Sequence, residues 1–381
     1  MKKLKPQLSL SISFFTVTFA IILFISSCKK PDFAPVTNAG ISADDNAMLK
    51  ERMKDKRPNI ILIMADDVGY EIPTCNGGQS YYTPTLDAMA DGGMRFTQCY
   101  STPLCAPSRF EIMTGKYNFR KYTFYGSIGQ DQHTFANVLQ NKGYATCMTG
   151  KWALDGGDTS IHIFGFDNYS IWNAYKETTS DIGKGRHYKN PKVFQNGEYL
   201  PESYTDGKYG DDVFAEYLNS FIDSNKRRPF FAYFTPTLLK TPFSPTPDNP
   251  LFATWDPENK ISDPKYFPEM VTYLDKLIGN LLKKLDAVGL KQKTVVILAL
   301  GDNGTSEEIT SKFNGQFITG GRSQTTIYGT NVPLIVYWPG TVNKGKVIND
   351  LVDFSDFMPT IADIAGTNIP ASYGTIDGVS F

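Results

Sequence analysis

Two apolar runs constrain this chain more than anything else in it: Asn59-Ile60-Ile61-Leu62-Ile63-Met64 and Thr294-Val295-Val296-Ile297-Leu298-Ala299-Leu300. Neither alternates with polar residues, so a strand formed by either must be covered on both faces, as in a parallel sheet clothed by helices. Both end in acidic residues, the first at Ala65-Asp66-Asp67 and the second at Gly301-Asp302-Asn303-Gly304. Further strands are expected over Met94 to Cys99, Tyr144 to Met148, Pro229 to Phe234 and Pro333 to Trp338. Helices are expected from Thr83-Pro84-Thr85 to Gly92-Gly93, and over Thr134 to Asn141, Asp211 to Ser224, Pro268 to Val288 and Phe357 to Ala365. In the longest, Val271, Leu274, Leu277, Ile278, Leu281 and Leu285 share one face, and Gly289 ends it. Strands alternating with helices require crossover connections, so the expected fold class is α/β: a mainly parallel sheet sandwiched by helices. A hydrophobic content of 41% supplies a sizeable core.

Ligands of such sheets sit beyond the carboxyl ends of the strands. Four segments fall there: Asp66-Asp67, Cys105, the Lys151 that follows Gly150, and Asp302-Asn303. Acidic pairs after strands are common turn chemistry. Two of them, each closing a strongly apolar strand, weigh towards a metal site. An all-oxygen donor set suits Ca²⁺ or Mg²⁺ rather than zinc. Cys105 precedes Ala106-Pro107-Ser108-Arg109, where Pro107 suits a first helical position, and the apolar run that follows stops at Gly115. A cysteine just ahead of a helix N-terminus has its thiolate, or a developing oxyanion, favoured by the partial positive charge there.

Cys105-Ala106-Pro107-Ser108-Arg109, followed by Thr114-Gly115, resembles the signature of type I sulfatases of the alkaline-phosphatase-like superfamily. Further matching pieces are Gly150-Lys151-Trp152, Phe164-Gly165-Phe166-Asp167, Thr241-Pro242-Phe243, Gly320-Gly321-Arg322 and Val332-Pro333-Leu334. The resemblance implies that Cys105 is oxidised to formylglycine by a formylglycine-generating enzyme. It also implies that Asp66, Asp67, Asp302, Asn303 and the modified residue 105 hold Ca²⁺, with Mg²⁺ as the second choice. Arg109 becomes the partner of the nucleophile, and Lys151 the cation reaching both nucleophile and sulfate. Lys240 and Arg322 stand at two further catalytic positions of the family, and the implied substrate is a sulfated small molecule or glycan.

Three departures bear on acid chemistry. Ala153 stands where the family's Gly-Lys-Trp-His places histidine, Lys240 replaces a second histidine, and Arg322 replaces a lysine. His133, His162 and His187 lie outside these positions and read as solvated or helix-capping residues. A lysine near pKa ~10.4 yields its proton far less readily than a histidine near ~6.5. A sulfatase with impaired or altered acid catalysis follows. The rival readings are a phosphodiester or phosphonate hydrolase of the same superfamily and a non-catalytic lipoprotein that binds sulfated glycans. Trp152, Trp172 and Tyr175 suit either stacking on a sugar or, at this aromatic density, plain packing.

Residues 1–28 read as a targeting segment: Lys2, Lys3 and Lys5, an apolar stretch from Leu8 to Ile25, then Ile25-Ser26-Ser27-Cys28, which resembles a bacterial lipobox. The expectation is an exported protein, lipid-anchored in the bacterial cell envelope through Cys28, with residues 29–57 as a polar tether and 58–381 as the catalytic domain. With Cys28 and Cys105 assigned, Cys75, Cys99 and Cys147 remain, and no disulfide is assigned among them. The closing Asp377-Gly378-Val379-Ser380-Phe381 resembles the entry to the family's small C-terminal subdomain, which is then largely missing from this sequence. With 38 basic against 39 acidic side chains, the charge balance points to no nucleic-acid partner.

Overall fold

The computed structural model describes residues 55–154, 161–172, 186–258 and 261–381. Cys28, Tyr175 and the tether up to residue 54 lie outside them. Ten strands form one sheet: β1 (Asn59–Ala65), β2 (Met94–Tyr100), β3 (Ala145–Lys151), β4 (Asn168–Trp172), β5 (Phe194–Gln195), β6 (Glu198–Tyr199), β7 (Phe230–Thr235), β8 (Thr294–Gly301), β11 (Leu334–Tyr337) and β12 (Lys346–Asp353). β9 (Thr310–Phe313) and β10 (Gln316–Thr319) make a separate antiparallel hairpin. The sheet order is β12-β2-β11-β8-β1-β7-β3-β4-β5-β6.

The centre, β8-β1-β7-β3-β4, is parallel throughout, as expected of these apolar runs. All seven residues of β1 and all eight of β8 are buried. Their side chains alternate between two cores. Ile61, Ile63, Val296 and Leu298 face α1 (Pro84–Gly92), α4 (Gly210–Asn225) and α5 (Phe267–Ala287). Ile60, Leu62, Val295 and Ile297 face α2 (Cys105–Thr114), α3 (Phe135–Asn141) and α6 (Phe357–Ile364). The strict period of two is what a strand buried on both faces needs.

β11 runs antiparallel to both its neighbours. The chain between β8 and β11 folds the β9–β10 hairpin and contains no helix longer than one turn, Ile327–Thr330. With no crossover helix to carry it to the far end of the sheet, the chain can only run back antiparallel. Residues 302–333 therefore stay at the carboxyl edge of the central strands, and Arg322 with them.

At the amino end of α2, Leu104 is the extended N-cap and Cys105 the first helical residue. Cys105 is thus inside the first turn rather than ahead of it, and Pro107 is third rather than first. Its missing N–H still belongs to a group the helix leaves unpaired. Gly115 closes the helix at φ 66°, its N–H bonding the Glu111 carbonyl. The Glu111 side chain is buried, accepts from Asn118 Nδ2 at 3.0 Å and is hydrogen-bonded to Asp353 at the end of β12. Burial first, then the Asp353 charge, push the Glu111 carboxyl up to about 9.

A carboxyl raised in the folded state holds its proton there while the unfolded chain releases it. Its stabilisation is present at low pH and is lost as pH climbs from about 4.5 towards about 9. Thermal unfolding should therefore show the melting temperature falling from pH 5 to pH 9, and Glu111→Gln should remove most of that slope, worth a few kcal/mol across the range. An equally steep fall in the variant would rule the carboxyl pair out as its cause.

Candidate active site

Three central strands, β1, β3 and β8, deliver site residues at their carboxyl ends. Asp66 and Asp67 follow β1, with Asp67 in the left-handed region at φ 55°. Lys151 is the last residue of β3, and Asp302 and Asn303 follow β8. Gly150 sits at φ 108° where a Cβ would lie 2.0 Å from the Thr235 carbonyl oxygen, so only glycine lets β3 deliver Lys151 so close to β7.

The loop after β7 is clipped to the same edge. Asp66 N–H donates to Leu238 O at 2.8 Å, and Leu239 N–H donates to Asp66 O at 2.6 Å. Asp211, at the start of α4, accepts from Thr237 N–H at 2.6 Å and from its hydroxyl at 2.9 Å. Tyr188 Oη donates to Lys240 O at 2.6 Å. Asp211 and Tyr188 thereby hold the loop that carries Lys240, and neither was singled out from sequence. An acidic residue in the first turn of a helix is too common to mark Asp211 out in sequence.

The two acidic tips meet. Asp66, Asp67 and Asp302 are fully buried and place carboxylate oxygens within 4.8 Å of one another. Four cations face them. Lys151 Nζ bonds Asp66 Oδ2 and lies 3.5 Å from Asp302 Oδ2. Arg109 donates to the same Asp302 oxygen through Nε at 3.1 Å and Nη2 at 2.8 Å, and to Lys151 O through Nη1 at 2.8 Å. Arg322 Nε pairs with Asp67 Oδ1 at 3.1 Å, and Lys240 Nζ lies 3.8 Å from Asp66 Oδ2. All seven charged positions expected from sequence, Lys240 and Arg322 included, therefore converge.

The charges tune one another. Burial alone would raise Asp66, but Lys151, Lys240, Arg109 and Arg322 outweigh it and hold the carboxyl well below its ordinary value. Asp67 goes the other way: burial, then the adjacent Asp66 charge, push it up to about 6. Burial opposes the Lys151 ammonium, yet Asp66 prevails and its pKa rises.

Among the described residues of this site, three buried oxygens have no hydrogen-bond partner: Asp66 Oδ1, Asp67 Oδ2 and Asn303 Oδ1. Asn303 spends its amide nitrogen on Asp67 Oδ1 at 2.7 Å and on Gly304 O at 2.9 Å, which leaves its oxygen free. Buried polar atoms are rarely left unpaired. Three hard oxygen donors from two chain-distant tips fit a cation such as Ca²⁺ or Mg²⁺.

Cys105 is 4% exposed, and its Sγ lies 3.2 Å from Tyr125 Oη. The charges of Arg109, Lys151 and Arg322 all bear on it. Ala153 is fully buried at φ 55°. The expectation of solvated histidines holds for exposed His162 and fails for His187. His187 is sealed between Trp172, at the end of β4, and Tyr188, at centroid distances of 4.5 and 4.2 Å. Trp152 packs on Phe164, and both it and Trp172 are buried, so both are core residues rather than sugar platforms. Cys75, Cys99, Cys105 and Cys147 are all free thiols.

A helix-sandwiched, mostly parallel sheet whose carboxyl edge gathers a buried carboxylate triad, four cations and a cysteine-led helix is the alkaline-phosphatase-like fold. The sulfatase family model matches residues 58–367, and the chain belongs to that family. It is 30% identical over 354 residues to N-acetylgalactosamine-6-sulfatase of Canis lupus familiaris, covering 84% of this chain and 65% of that protein. Identity to Arylsulfatase A of Homo sapiens is also 30%, over 355 residues, 84% of this chain and 66% of that one. Among solved structures, Ps i-CgsB in complex with k-i-k-neocarrahexaose superposes with a TM-score of 0.70 at 26% identity, over 85% of this chain and 75% of that one. The chain spans about two thirds or less of the length of these two curated relatives.

Replacing Arg109 by Leu should destabilise the fold by about 3–5 kcal/mol in urea unfolding, because it leaves Asp302 charged, buried and short of its main partner. Adding Asp302→Leu to that variant should recover part of the loss. Two full and additive losses would mean the pair is not coupled.

Proposed function

We propose that this protein hydrolyses sulfate esters with an aldehyde nucleophile made from Cys105 and a divalent cation, Ca²⁺ or Mg²⁺. The cation would be held by Asp66, Asp67, Asp302 and Asn303 together with residue 105. The observation that carries the reading is the set of three unpartnered buried oxygens facing a cysteine-led helix among four cations. A bound cation would polarise a sulfate oxygen, and the hydrated aldehyde would supply the attacking hydroxyl.

The chain's own residues set the rest. Arg109 holds Asp302 and keeps its charge at residue 105. Lys151 and Arg322 keep fixed positive charge where the equatorial oxygens of a sulfuryl group would sit, and Lys240, side chain 13% exposed, closes the ring towards solvent. None of these four needs to move to meet an anion, which is how a preorganised site stabilises charge in a transition state. Lys240 and Arg322 in place of the family's usual residues support altered acid chemistry.

A sulfated carbohydrate is the substrate class we infer, supported by the oligosaccharide complex of the similar Ps i-CgsB. Export, a lipid anchor at Cys28, and maturation by a formylglycine-generating enzyme complete the proposal, supported by the Ile25-Ser26-Ser27-Cys28 and Cys105-to-Arg109 segments.

Mass analysis of the Cys105 peptide from the native host should show the aldehyde. The purified protein should turn over 4-nitrophenyl sulfate in preference to matched phosphate esters. An unmodified thiol with retained sulfate binding would replace the enzyme by a glycan-binding lipoprotein, and preference for phosphate esters would replace it by a phospho-hydrolase. Saturating Ca²⁺ or Mg²⁺ should raise the stability by about 2.7 kcal/mol at a hundredfold excess over Kd. Asp67→Asn should abolish most of that gain, whereas a cation response identical in both proteins would place the ion elsewhere.

A further inference from the structure

Lys151 and Trp172 stand side by side where β3 and β4 end, and the sheet continues past them through β5 and β6. β5 runs antiparallel to β4 with Phe194 opposite Ile171, and β6 runs antiparallel to β5 with Tyr199 opposite Phe194. Residues before Phe194 and after Tyr199 therefore lie beyond the same carboxyl edge that carries the charged cluster. Neighbouring strands are about 4.8 Å apart, so this stretch sits roughly 10–15 Å to the side of β3.

It encloses a cavity of about 840 Å³, a volume that suits a ligand of a few rings. One wall comes from residues 186–192, a second from 199–206 and a third from 256–258. The walls are fixed to one another. Lys189 Nζ donates to the carbonyls of Phe252, Ala253 and Trp255 at 2.9, 2.9 and 2.8 Å, and Arg186 pairs with Glu258 at 3.3 Å. The first wall also reaches the charged cluster, because Tyr188, two residues after Arg186, is the one that holds Lys240 O.

The lining decides what fits. Four carboxylates, Glu202, Asp206, Asp256 and Glu258, stand against two cations, Arg186 and Lys192. Carboxylates and the Asn190 and Ser203 side chains are partners for hydroxyl groups. The Tyr199 ring, edge-on to Phe194 at 5.0 Å and 42% exposed, offers an apolar face to sugar C–H groups. A sulfate group placed here would meet an excess of negative charge, which opposes it. The cavity and the charged cluster thus select opposite things, one a neutral polyol and the other an anion.

We propose that this cavity is a subsite for an uncharged sugar residue of the substrate chain. The enzyme then acts on oligosaccharides in which the sulfate to be cleaved is followed, a few residues along, by unsulfated sugar. The proposal rests on the sulfatase reading for its sulfated end. A monosaccharide sulfate occupies only the charged cluster, whereas an oligosaccharide spans both.

The test uses the full-length parent and two variants remote from the charged cluster. Ser203→Trp fills the cavity, and Glu202→Gln with Glu258→Gln removes two of its negative charges. The substrates are agarohexaose, laminarihexaose and mannohexaose with one terminal sulfate, the same chains with a second, interior sulfate, and the matching methyl monosaccharide sulfates. On at least one backbone the parent should gain ~10-fold or more in kcat/KM from monosaccharide to monosulfated hexasaccharide, chiefly through KM. The interior sulfate should cancel that gain, and the double Gln variant should restore it. Ser203→Trp should lose the gain while keeping parental turnover of 4-nitrophenyl sulfate. Calorimetric titration with the three unsulfated hexasaccharides needs no turnover, and should show binding to the parent and none to Ser203→Trp. No effect of chain length on any backbone, equal losses in Ser203→Trp on short and long substrates, or full tolerance of the interior sulfate by the parent would overturn the assignment. A folded parent inactive on every ester would bring down the sulfatase reading instead. The titration then decides the cavity alone: binding abolished by Ser203→Trp upholds it, and no binding to the parent overturns it.

Discussion

Bringing Asp66, Asp67 and Asp302 into a dry sheet edge is the act on which the rest of the architecture depends. Three carboxylates so close together, all fully buried, would repel strongly and lose their charge. Lys151 opposes this from the end of β3, Arg109 from helix α2, and Arg322 and Lys240 from two loops. The balance explains why so much of the backbone serves the carboxyl edge: the Gly150 close approach, the Asp211 and Tyr188 clasps on the loop before Lys240, and the antiparallel return of β11. Split between an Asp66 held low and an Asp67 held near 6, the cluster is short of positive charge at Asp67. A divalent cation supplies that kind of charge.

The nucleophile's helix shows the same economy at its other end. Cys105 at its start faces the cations, while Glu111, two turns on, is buried against Asp353 of β12. The helix is thus held near the sheet's outer strand where Glu111 lies beside Asp353, and tied to its centre through Arg109 and Asp302. A residue at its first turn, held from both sides, has little freedom to drift, and a reacting atom misplaced by an ångström forfeits much of its rate.

How much of this was readable beforehand depended on burial. β1 and β8 announced themselves because strands covered on both faces are apolar without interruption, and the acidic tips stood out against them. β12 left no such mark: Lys346, Val347, Asn349, Asp350 and Leu351 are exposed on an edge strand, so its sequence looks like a loop. The reversed direction of β11 was also hidden, since four apolar residues carry no sense of polarity and only the missing crossover helix decides it. In the site, Asp66, Asp67, Asp302 and Asn303 were legible from strand ends, and Lys240 and Arg322 only through family likeness. Tyr125 was invisible, being one of 21 tyrosines with no spacing to mark it. His187 was misread because its burial comes from long-range folding over Trp172, which local polarity cannot report.

The β9–β10 hairpin stands apart from the main sheet, joined to the body near Gly78 and Gln79, with Phe317 of β10 77% exposed. It is spliced into the same edge connection that carries Arg322. Its exposed residues, such as Thr310, Lys312 and Phe317, can therefore vary without changing the strand order. Evolution is free to remodel this rim, and with it the size of molecule admitted, while the charged floor beneath stays as it is.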